Sequence, residues 1–130
     1  MIKRQYTLYL ENRPGMLANI AGMLAKKNVN IEGISVAEST DAALVQVIVD
    51  RETAARRALV EAKIPFTSQD VSVLVLPHRP GALASLTAKL AKARININYI
   101  YATAADDDSQ CCMVVSANDL KGVERIGKRV

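Results

Sequence analysis

The sequence is poor in the residues on which much protein chemistry depends. Its 130 residues include no tryptophan, one phenylalanine, one histidine and two cysteines. A single histidine excludes most acid–base and triad schemes of catalysis, and no Cys/His spacing typical of a metal site occurs. Neither GxxxxGK(S/T) nor GxGxxG is present, which argues against a phosphate-binding loop. We therefore expect a protein that is not an enzyme and that has no cofactor.

The residues that bear on compartment point to the cytoplasm. Cys111 and Cys112 are adjacent. Because neighbours in a strand point to opposite faces, they cannot easily share a metal ion, and a disulfide between them would strain the backbone. We interpret them as reduced structural thiols, with a redox role as the alternative. Residues 1–4 lead into an alternating segment without the apolar stretch of a signal peptide, and nothing approaches a membrane span, so we expect no membrane partner.

Basic residues are in slight excess and are spread along the chain. The formal net charge is +4, from 17 Lys and Arg against 13 Asp and Glu. Residues 1–65 hold 9 basic and 7 acidic side chains and residues 66–130 hold 8 and 6, so each half carries +2. Nucleic-acid binding normally needs a clustered basic face, and the sequence shows no such run. We do not expect a nucleic-acid partner.

The most informative feature is an internal repeat in which position 12 corresponds to position 78, a shift of 66. A repeat of this length marks two copies of one module, which we assign to residues 1–69 and 70–130. Modules of this size are near the lower limit of independent folding, so we expect them to pack against a neighbour and the chain to form a homodimer. The repeat pairs Asn12-Arg13-Pro14-Gly15-Met16-Leu17 with His78-Arg79-Pro80-Gly81-Ala82-Leu83, Asn30-Ile31 with Asn96-Ile97, and Asp41 with Asp107.

Hydrophobic periodicity predicts the order βαββαβ in the first copy. The first helix should begin at Pro14, whose fixed φ and missing N–H suit a first helical position. This order predicts an α+β fold of two ferredoxin-like modules, each an antiparallel sheet with both helices on one face. The predicted strands are 4–11, 29–39, 42–50 and 65–69, the predicted helices are 14–27 and 52–63, and a hairpin is expected at Ser39-Thr40-Asp41.

The second copy is predicted to lack its last strand. At the shift of 66, Val130 corresponds to Ile64, so no residues follow for a fourth strand. The edge of that copy's first strand would be uncovered unless another segment or a second chain pairs with it. The predicted elements of this copy are strands 71–76, 95–103 and 110–117 and helices 80–93 and 119–128.

The predicted third strands are apolar on both faces. Val45, Val47 and Val49 alternate with Leu44 and Ile48. A sheet with helices on one side and water on the other should alternate with polar residues. We expect the second face or an edge to pack against the other module or a second chain, with scattered surface aliphatics as the alternative.

The repeated Arg-Pro-Gly turn is the best candidate for a binding site. It places main-chain N–H groups and the positive end of a helix dipole together, which suits a carboxylate or a phosphate. Gly15 and Gly81 would allow close approach to the main chain. Asn30 and Asn96 begin the strand after the helix, and an amide suits a ligand with both an ammonium and a carboxylate. The alternative is that Pro-Gly only shapes the turn and the asparagines cap it.

Two other polar features are weaker candidates. Asp106-Asp107-Asp108 lies at a predicted hairpin turn, where we expect solvated carboxylates rather than a cation site. His78 stands where the first copy has Asn12. It is either a ligand contact or an exposed turn histidine.

Both copies resemble the ACT domain, the small-molecule sensing module of amino-acid metabolism. The pattern is a strand, Asn/His-Arg-Pro-Gly-x-Leu, a helix and a Val/Ile-Asn-Ile strand. The resemblance implies amino-acid ligands bound at interfaces between modules, association side by side or face to face, and regulation of an enzyme or regulator of amino-acid metabolism rather than catalysis. The implied ligand-binding residues are Asn12, Arg13, Pro14, Gly15, Met16, Leu17, Asn30 and Ile31, with His78, Pro80, Gly81, Ala82, Leu83, Asn96 and Ile97.

The resemblance also bears on which amino acid is bound. Serine-sensing members carry a ligand-binding histidine two residues before the turn asparagine, where this chain has Leu10 and Leu76. The first copy is similar to the regulatory subunit of acetolactate synthase through Glu11-Asn12-x-Pro14-Gly15 and Asn30-Ile31-Glu32, which would favour valine or another branched amino acid. Because Asn12 becomes His78, we expect unequal sites. We expect the first module to bind more tightly, through the N–H groups of 15–17 and the Asn30 amide.

Other functional classes share the βαββαβ order. A structural dimerisation module would need no ligand. An RNA-binding RRM needs aromatic residues on its central strands, and the predicted strands 42–50 and 110–117 contain none. The tyrosines Tyr6, Tyr9, Tyr99 and Tyr101 fall on the other predicted strands. A small enzyme on this fold is disfavoured by the scarcity of histidine and of clustered carboxylates.

Overall fold

Two compact α+β units make up the chain. The computed structural model describes residues 1–39 and 41–128. One unit is Gln5–Gln69, and the other combines Met1–Arg4 with Asp70–Val130. Each contains antiparallel strands and two helices, which confirms the predicted fold class. In chain order the elements are β1 (Ile2–Glu11), α1 (Met16–Lys26), β2 (Ile31–Glu38), β3 (Ala42–Val49), α2 (Glu52–Glu61), β4 (Phe66–Pro77), α3 (Ala82–Lys92), β5 (Ile97–Thr103), β6 (Gln110–Ala117) and α4 (Leu120–Gly127).

The unit Gln5–Gln69 has the strand order β2-β3-β1-β4. Strand β3 pairs antiparallel with both β1 and β2, and Tyr9 of β1 donates its N–H to the Pro65 carbonyl at 3.0 Å.

One face of these strands forms the core of the unit. Alternate residues of β1 and β3 are buried, since successive side chains of a strand point to opposite faces. Buried residues of both helices lie in the same cluster, at spacings that put them on one side of each helix. Both helices therefore pack on the same face of the strands. The cluster includes Tyr6, Leu8, Leu10, Val45, Val47, Val49, Ile20, Leu24, Ala55 and Leu59.

The second unit repeats this arrangement. Strand β6 pairs antiparallel with β4 and β5. The core joins Leu74 and Leu76 to residues of both helices, among them Leu86, Leu90 and Val123. Asp119 caps the last helix by accepting the Gly122 N–H at 2.9 Å.

The offset between equivalent residues of the two copies changes at the connection between the second and third strands of each copy. Helix α3 follows α1 at the shift of 66, but β6 follows β3 at a shift of 68, because the connection between β5 and β6 is longer than the one between β2 and β3. A single shift of 66 is therefore wrong beyond residue 41. At the shift of 68, Asp50 corresponds to Asn118 and Arg51, the N-cap of α2, corresponds to Asp119.

The first residues of the chain provide the strand that the second copy was predicted to lack. Met1 and Val73 exchange two main-chain hydrogen bonds, of 2.9 Å from the Met1 amino group and 2.8 Å from the Val73 N–H. Arg4 and Asp70 form an ion pair at 3.0 Å. Met1–Arg4 therefore pairs antiparallel with β4 inside this unit, on the edge that the sequence left uncovered.

Strand β4 runs without a break from Phe66 to Pro77. The two separate strands predicted at 65–69 and 71–76 are therefore wrong. No glycine or proline lies between Phe66 and Leu76 to interrupt the strand. One half of β4 belongs to each unit.

The remaining differences from the predictions concern the start of helix α1, the hairpin at 39–41 and the strand face that lies away from the helices. Helix α1 begins at Met16, two residues after the predicted start at Pro14. The predicted hairpin at 39–41 includes Thr40, which lies outside the described residues, while Ser39 donates its N–H to the Ala42 carbonyl at 2.8 Å. On the face away from the helices, Ile48 and Val114 are 3% and 0% exposed, so apolar side chains on this face are buried too.

No helix within residues 1–39 and 41–128 is long and apolar enough to cross a membrane.

We expect removal of residues 1–4 to destabilise the second unit. Val73 would lose both main-chain hydrogen bonds, at a cost of about 1 to 3 kcal/mol in the free energy of unfolding. Denaturant unfolding would measure this loss. Hydrogen exchange of the Val73 amide should also accelerate, while the Tyr9 amide, bonded to Pro65, should stay protected.

The control for this truncation is Arg4→Ala. It removes an exposed ion pair, which contributes at most about 1 kcal/mol, and keeps the main chain. A truncated protein as stable as the intact one would show that Met1–Arg4 does not support the fold.

Candidate functional site

The two Arg-Pro-Gly turns have the same main-chain hydrogen bonds. In the first copy, Arg13 donates its N–H to Glu11, Met16 to Arg13 and Asn19 to Gly15, at 3.0, 3.4 and 2.9 Å. In the second copy, each bond recurs at the corresponding position, from Arg79, Ala82 and Ser85, at 3.1, 3.3 and 2.9 Å. The structure therefore builds one backbone geometry twice.

Glycine determines how each turn enters its helix. Gly15 and Gly81 have φ values of +88° and +90°, in the left-handed region that favours glycine. Each occupies the N-cap position, and no side chain makes a capping hydrogen bond there. The first N–H groups of a helix have no acceptor within it. The Met16 and Ala82 N–H groups donate within their turns, to Arg13 and Arg79, but no side chain caps the N–H groups that follow, which leaves those for an anionic group.

The predicted site residues divide into exposed and core positions. Met16 and Ile31 are half-buried and pack against the first core cluster, and Ile97 packs against the second. Ala82 is 9% exposed and belongs to the core of its unit. These four side chains support the fold. The exposed residues are Asn12, Arg13, Pro14, Gly15, Leu17 and Asn30 in the first copy and His78, Arg79, Pro80, Gly81, Leu83 and Asn96 in the second.

The two turns differ in charge. Arg13 donates from Nε to the Glu11 carboxylate at 2.7 Å, so the first turn presents both signs of charge. Pro77 replaces Glu11 in the second copy, beside Arg79 and His78. The second turn therefore presents basic side chains without that carboxylate. A comparison of the two copies in the sequence could have found this difference, since Glu11 and Pro77 lie directly before the repeated hexamers.

Asn30 and Asn96 are held by their main chains. Asn30 donates its N–H to the Asp50 carboxylate at 2.8 Å, and Asp50 returns an N–H to the Asn30 carbonyl at 3.2 Å. Asn96 exchanges the same pair of bonds with Asn118, at 3.0 and 3.3 Å. Sequence reasoning missed Asp50 and Asn118, because the change of shift to 68 hides their equivalence.

The side-chain amides of Asn30 and Asn96 differ in their hydrogen bonds. The Asn96 amide donates to the Asn98 side chain at 3.2 Å, and Asn98 in turn contacts Ser116. The Asn30 amide is exposed and has no hydrogen-bond partner among residues 1–39 and 41–128. Only the first copy keeps this amide available.

Within one unit, the turn and the asparagine are not brought together. Asn30 follows the C-terminal end of α1, whereas Gly15 precedes its N-terminal end. An α-helix of this length spans about 16 Å, which is longer than a small amino acid. A single small ligand that contacts both groups must therefore take them from different copies of the module.

The other polar candidates do not form a site. Asp107 accepts the Ser109 N–H at 2.9 Å, and hydrogen bonds from the Ser109 main chain and side chain lower the pKa of this carboxyl. Among the described residues no group of three His, Cys, Asp or Glu side chains could hold a metal ion. Both cysteines are free, and burial raises the pKa of Cys112, which disfavours its reactive thiolate.

The tyrosines do not form an open stacking platform. Tyr6 and Tyr9 lie on β1, which is a central strand of its unit, so the expectation that central strands lack aromatics is wrong for β1. Tyr6 is buried and contacts Phe66 edge to face, with ring centroids 5.8 Å apart. Tyr99 and Tyr101 stack on each other at 6.3 Å, and burial raises the pKa of Tyr101, with Tyr99 adding to the shift.

Comparison with known proteins identifies a domain in the first copy. Residues 7–63 match the family model for the ACT domain. No curated protein sequence matches the chain. The family match lies inside the unit Gln5–Gln69, and the second copy is related to it by the repeat.

Solved structures match almost the whole chain. A protein from Bacteroides thetaiotaomicron is 27% identical with a TM-score of 0.89, over 99% of this chain and 88% of that chain. The ligand-free regulatory subunit of aspartate kinase from Thermus thermophilus is 16% identical with a TM-score of 0.71, over 99% and 94%. E. coli aspartokinase III in complex with lysine and aspartate is 17% identical with a TM-score of 0.58, over 98% of this chain but 32% of that chain. The two kinase likenesses, at this identity, show a shared fold.

Gly15→Ala should destabilise the protein by about 1 to 2 kcal/mol, because an L-residue is strained at this positive φ. Nothing lies within 4 Å of an added Cβ, so the loss would report backbone conformation rather than a clash. Gly22→Ala is the matched control. Gly22 lies exposed inside α1 with equally open space, and alanine there should stabilise by about 0.5 to 1 kcal/mol. Thermal unfolding that gives both variants the same sign would contradict this account of the turn.

Proposed function

We propose that this chain is a non-catalytic tandem ACT protein that binds a small α-amino acid and thereby regulates an enzyme or a regulator of amino-acid metabolism. The observation that carries the proposal is the doubled turn, with its uncapped helix start and its left-handed glycine in each copy. The ACT match over 7–63 and the fold shared with an aspartate kinase regulatory subunit support a regulatory role. In this proposal residues 1–69 and 70–130 are the two modules, and the free thiols fit a cytoplasmic protein.

The first copy is the proposed amino-acid site. Its N–H groups at Gly15 and Leu17, which no side chain caps, suit the carboxylate of the ligand, whereas the Met16 N–H donates to Arg13. An α-amino acid also carries an ammonium group, and Glu11 provides a carboxylate at this turn beside Arg13. The second turn, with Pro77 in place of Glu11, suits a group that is only anionic. The exposed amide of Asn30 adds a donor and an acceptor, whereas the Asn96 amide donates to Asn98.

Serine is not the ligand that the site favours. Leu10 and Leu76 hold the positions of the serine-binding histidine in serine-sensing ACT domains, and they are 5% and 0% exposed. Both side chains belong to core clusters, so neither reaches the surface where a ligand would bind. A branched amino acid such as valine fits the resemblance of the first copy better.

We place the ligand between two copies of the module, in a homodimer. Asn30 and the turn lie at opposite ends of α1, so a second copy must present its Asn30 to the turn. Strand β2 is an edge strand, and its Ile34 and Val36 are 39% and 51% exposed. Such an edge can gain burial and main-chain pairing from a second chain.

A thermal-shift panel of the twenty amino acids tests the proposal. A ligand present at about 100 times its dissociation constant adds about 2.7 kcal/mol to the free energy of unfolding. In a chain of this size the melting temperature should rise by several degrees, with the largest rise for valine or a related branched residue. If no amino acid raises the melting temperature, the chain is a structural dimerisation module rather than a sensor.

Asn30→Ala should weaken binding of the amino acid found in that panel. Losing the amide leaves ligand groups unpaired, at a cost of about 1 to 3 kcal/mol, or roughly tenfold or more in affinity by calorimetry. Asn96→Ala is the matched control. It should leave the affinity unchanged and instead lower stability by about 0.5 to 1.5 kcal/mol, because its bond to Asn98 is lost. Unchanged affinity in Asn30→Ala would remove this residue from the site.

A further inference from the structure

The surface around α4 of the second unit carries positive charge that the fold does not neutralise. A hollow of about 420 Å³ lies beside this helix, and three of its lining side chains are exposed cations. The carboxylate in the lining, Glu124, is already bonded to the Ser72 hydroxyl at 2.8 Å and to the Met1 amino group at 2.6 Å. The hollow is lined by Ile2, Lys121, Glu124, Arg125 and Lys128.

Helix electrostatics favour Arg125, in the last turn of α4, and Lys128, at its C-cap, but they do not account for Lys121. Lys121 lies in the first turn of α4, two residues after the Asp119 cap, where the helix dipole disfavours a cation. Helix α2, its counterpart, has Glu52 in its first turn, as the dipole favours. Lys121 is exposed at a position where it does not stabilise the helix, which indicates a role in binding another molecule rather than in folding.

The repeat provides an internal reference for the same surface. At the shift of 68, Lys121 and Lys128 correspond to Thr53 and Val60, which are neutral. Helix α2 balances two arginines against two glutamates, and one of these, Glu61, also lies 3.9 Å from Lys27. The two copies share their fold, so the fold does not require the extra cations of α4.

The hollow also has an apolar component. In the first unit Tyr6 packs against Phe66, whereas the second unit has Ser72 at the position of Tyr6, bonded to Glu124. Ile2 lines the hollow beside them. A second hollow of about 310 Å³ is lined by Lys89, Lys92, Ala93 and Ile126. This second hollow, lined by residues of α3 and α4, also combines apolar side chains with cations.

We propose that this surface, defined by Ile2, Lys121, Arg125 and Lys128, binds an acidic segment of a partner protein. Carboxylates of the segment meet the three cations, and an apolar side chain of the segment enters the hollow beside Ile2. Charge complementarity identifies the partner as acidic. Neither hollow has an aromatic residue in its lining on which a base could stack, which favours a protein over a nucleic acid. The assignment does not depend on the amino-acid site.

The test uses the full chain without amino acid. A fluorescein-labelled peptide of Asp and Glu with one central Phe is titrated at about 0.01 M salt, where charges are weakly screened. Lys121→Glu combined with Lys128→Glu should weaken binding at least about tenfold. Lys121→Glu alone should weaken it in the same direction, and the helix dipole favours that replacement, so a folding defect would not explain the loss.

The matched control is Arg56→Glu combined with Arg57→Glu on α2. It changes the net charge equally and should alter peptide affinity by less than about twofold, because general attraction does not distinguish the two helices. Equal losses in both double variants would overturn the proposal. So would unchanged binding when the peptide's Phe is replaced by Ala, or tighter binding of a single-stranded oligothymidylate than of the peptide at the same salt.

Discussion

The antiparallel pairing of β1 with β4 is the interaction on which both units depend. In the unit Gln5–Gln69 it is represented by the bond from the Tyr9 N–H to the Pro65 carbonyl, and in the other unit by the bonds between Met1 and Val73. Each unit thereby obtains a fourth strand, although the second copy has no segment of its own for it. A short module buries little surface, so an edge strand that is paired matters for its stability.

The candidate site rests on a second constraint, the left-handed glycine at the start of α1 and α3. Because Gly15 and Gly81 give both turns the same backbone, each helix begins with N–H groups that no side chain caps. The copies therefore differ in their side chains. Glu11 of the first turn is replaced by Pro77 in the second, and the Asn30 amide is exposed whereas the Asn96 amide donates to Asn98. The proposed roles follow the same division. The first copy has the groups that a zwitterion needs, and the second copy has additional cations on α4.

Much of the fold and the position of the turn could be predicted from local sequence. The helices and the strands β2, β3, β5 and β6 follow from periodicity, and the Pro-Gly turn marks the end of β1. The predictions failed where distant segments decide the outcome. Gln69 and Asp70 lie inside one continuous strand because no breaker separates the copies. The equivalence of Asp50 and Asn118 was hidden because the longer second hairpin changes the shift of the repeat.

The sequence by itself determined that one βαββαβ module occurs twice, with the same glycine turn before the first helix of each copy. Both are local properties, since they depend on residue spacing and on the φ that glycine permits. Only the tertiary structure decided that Met1–Arg4 pairs with β4, that Asp50 binds the Asn30 N–H, and that Ile2 lies beside the cations of α4 in one hollow. These depend on contacts between residues far apart in the chain, which local residue spacing does not specify.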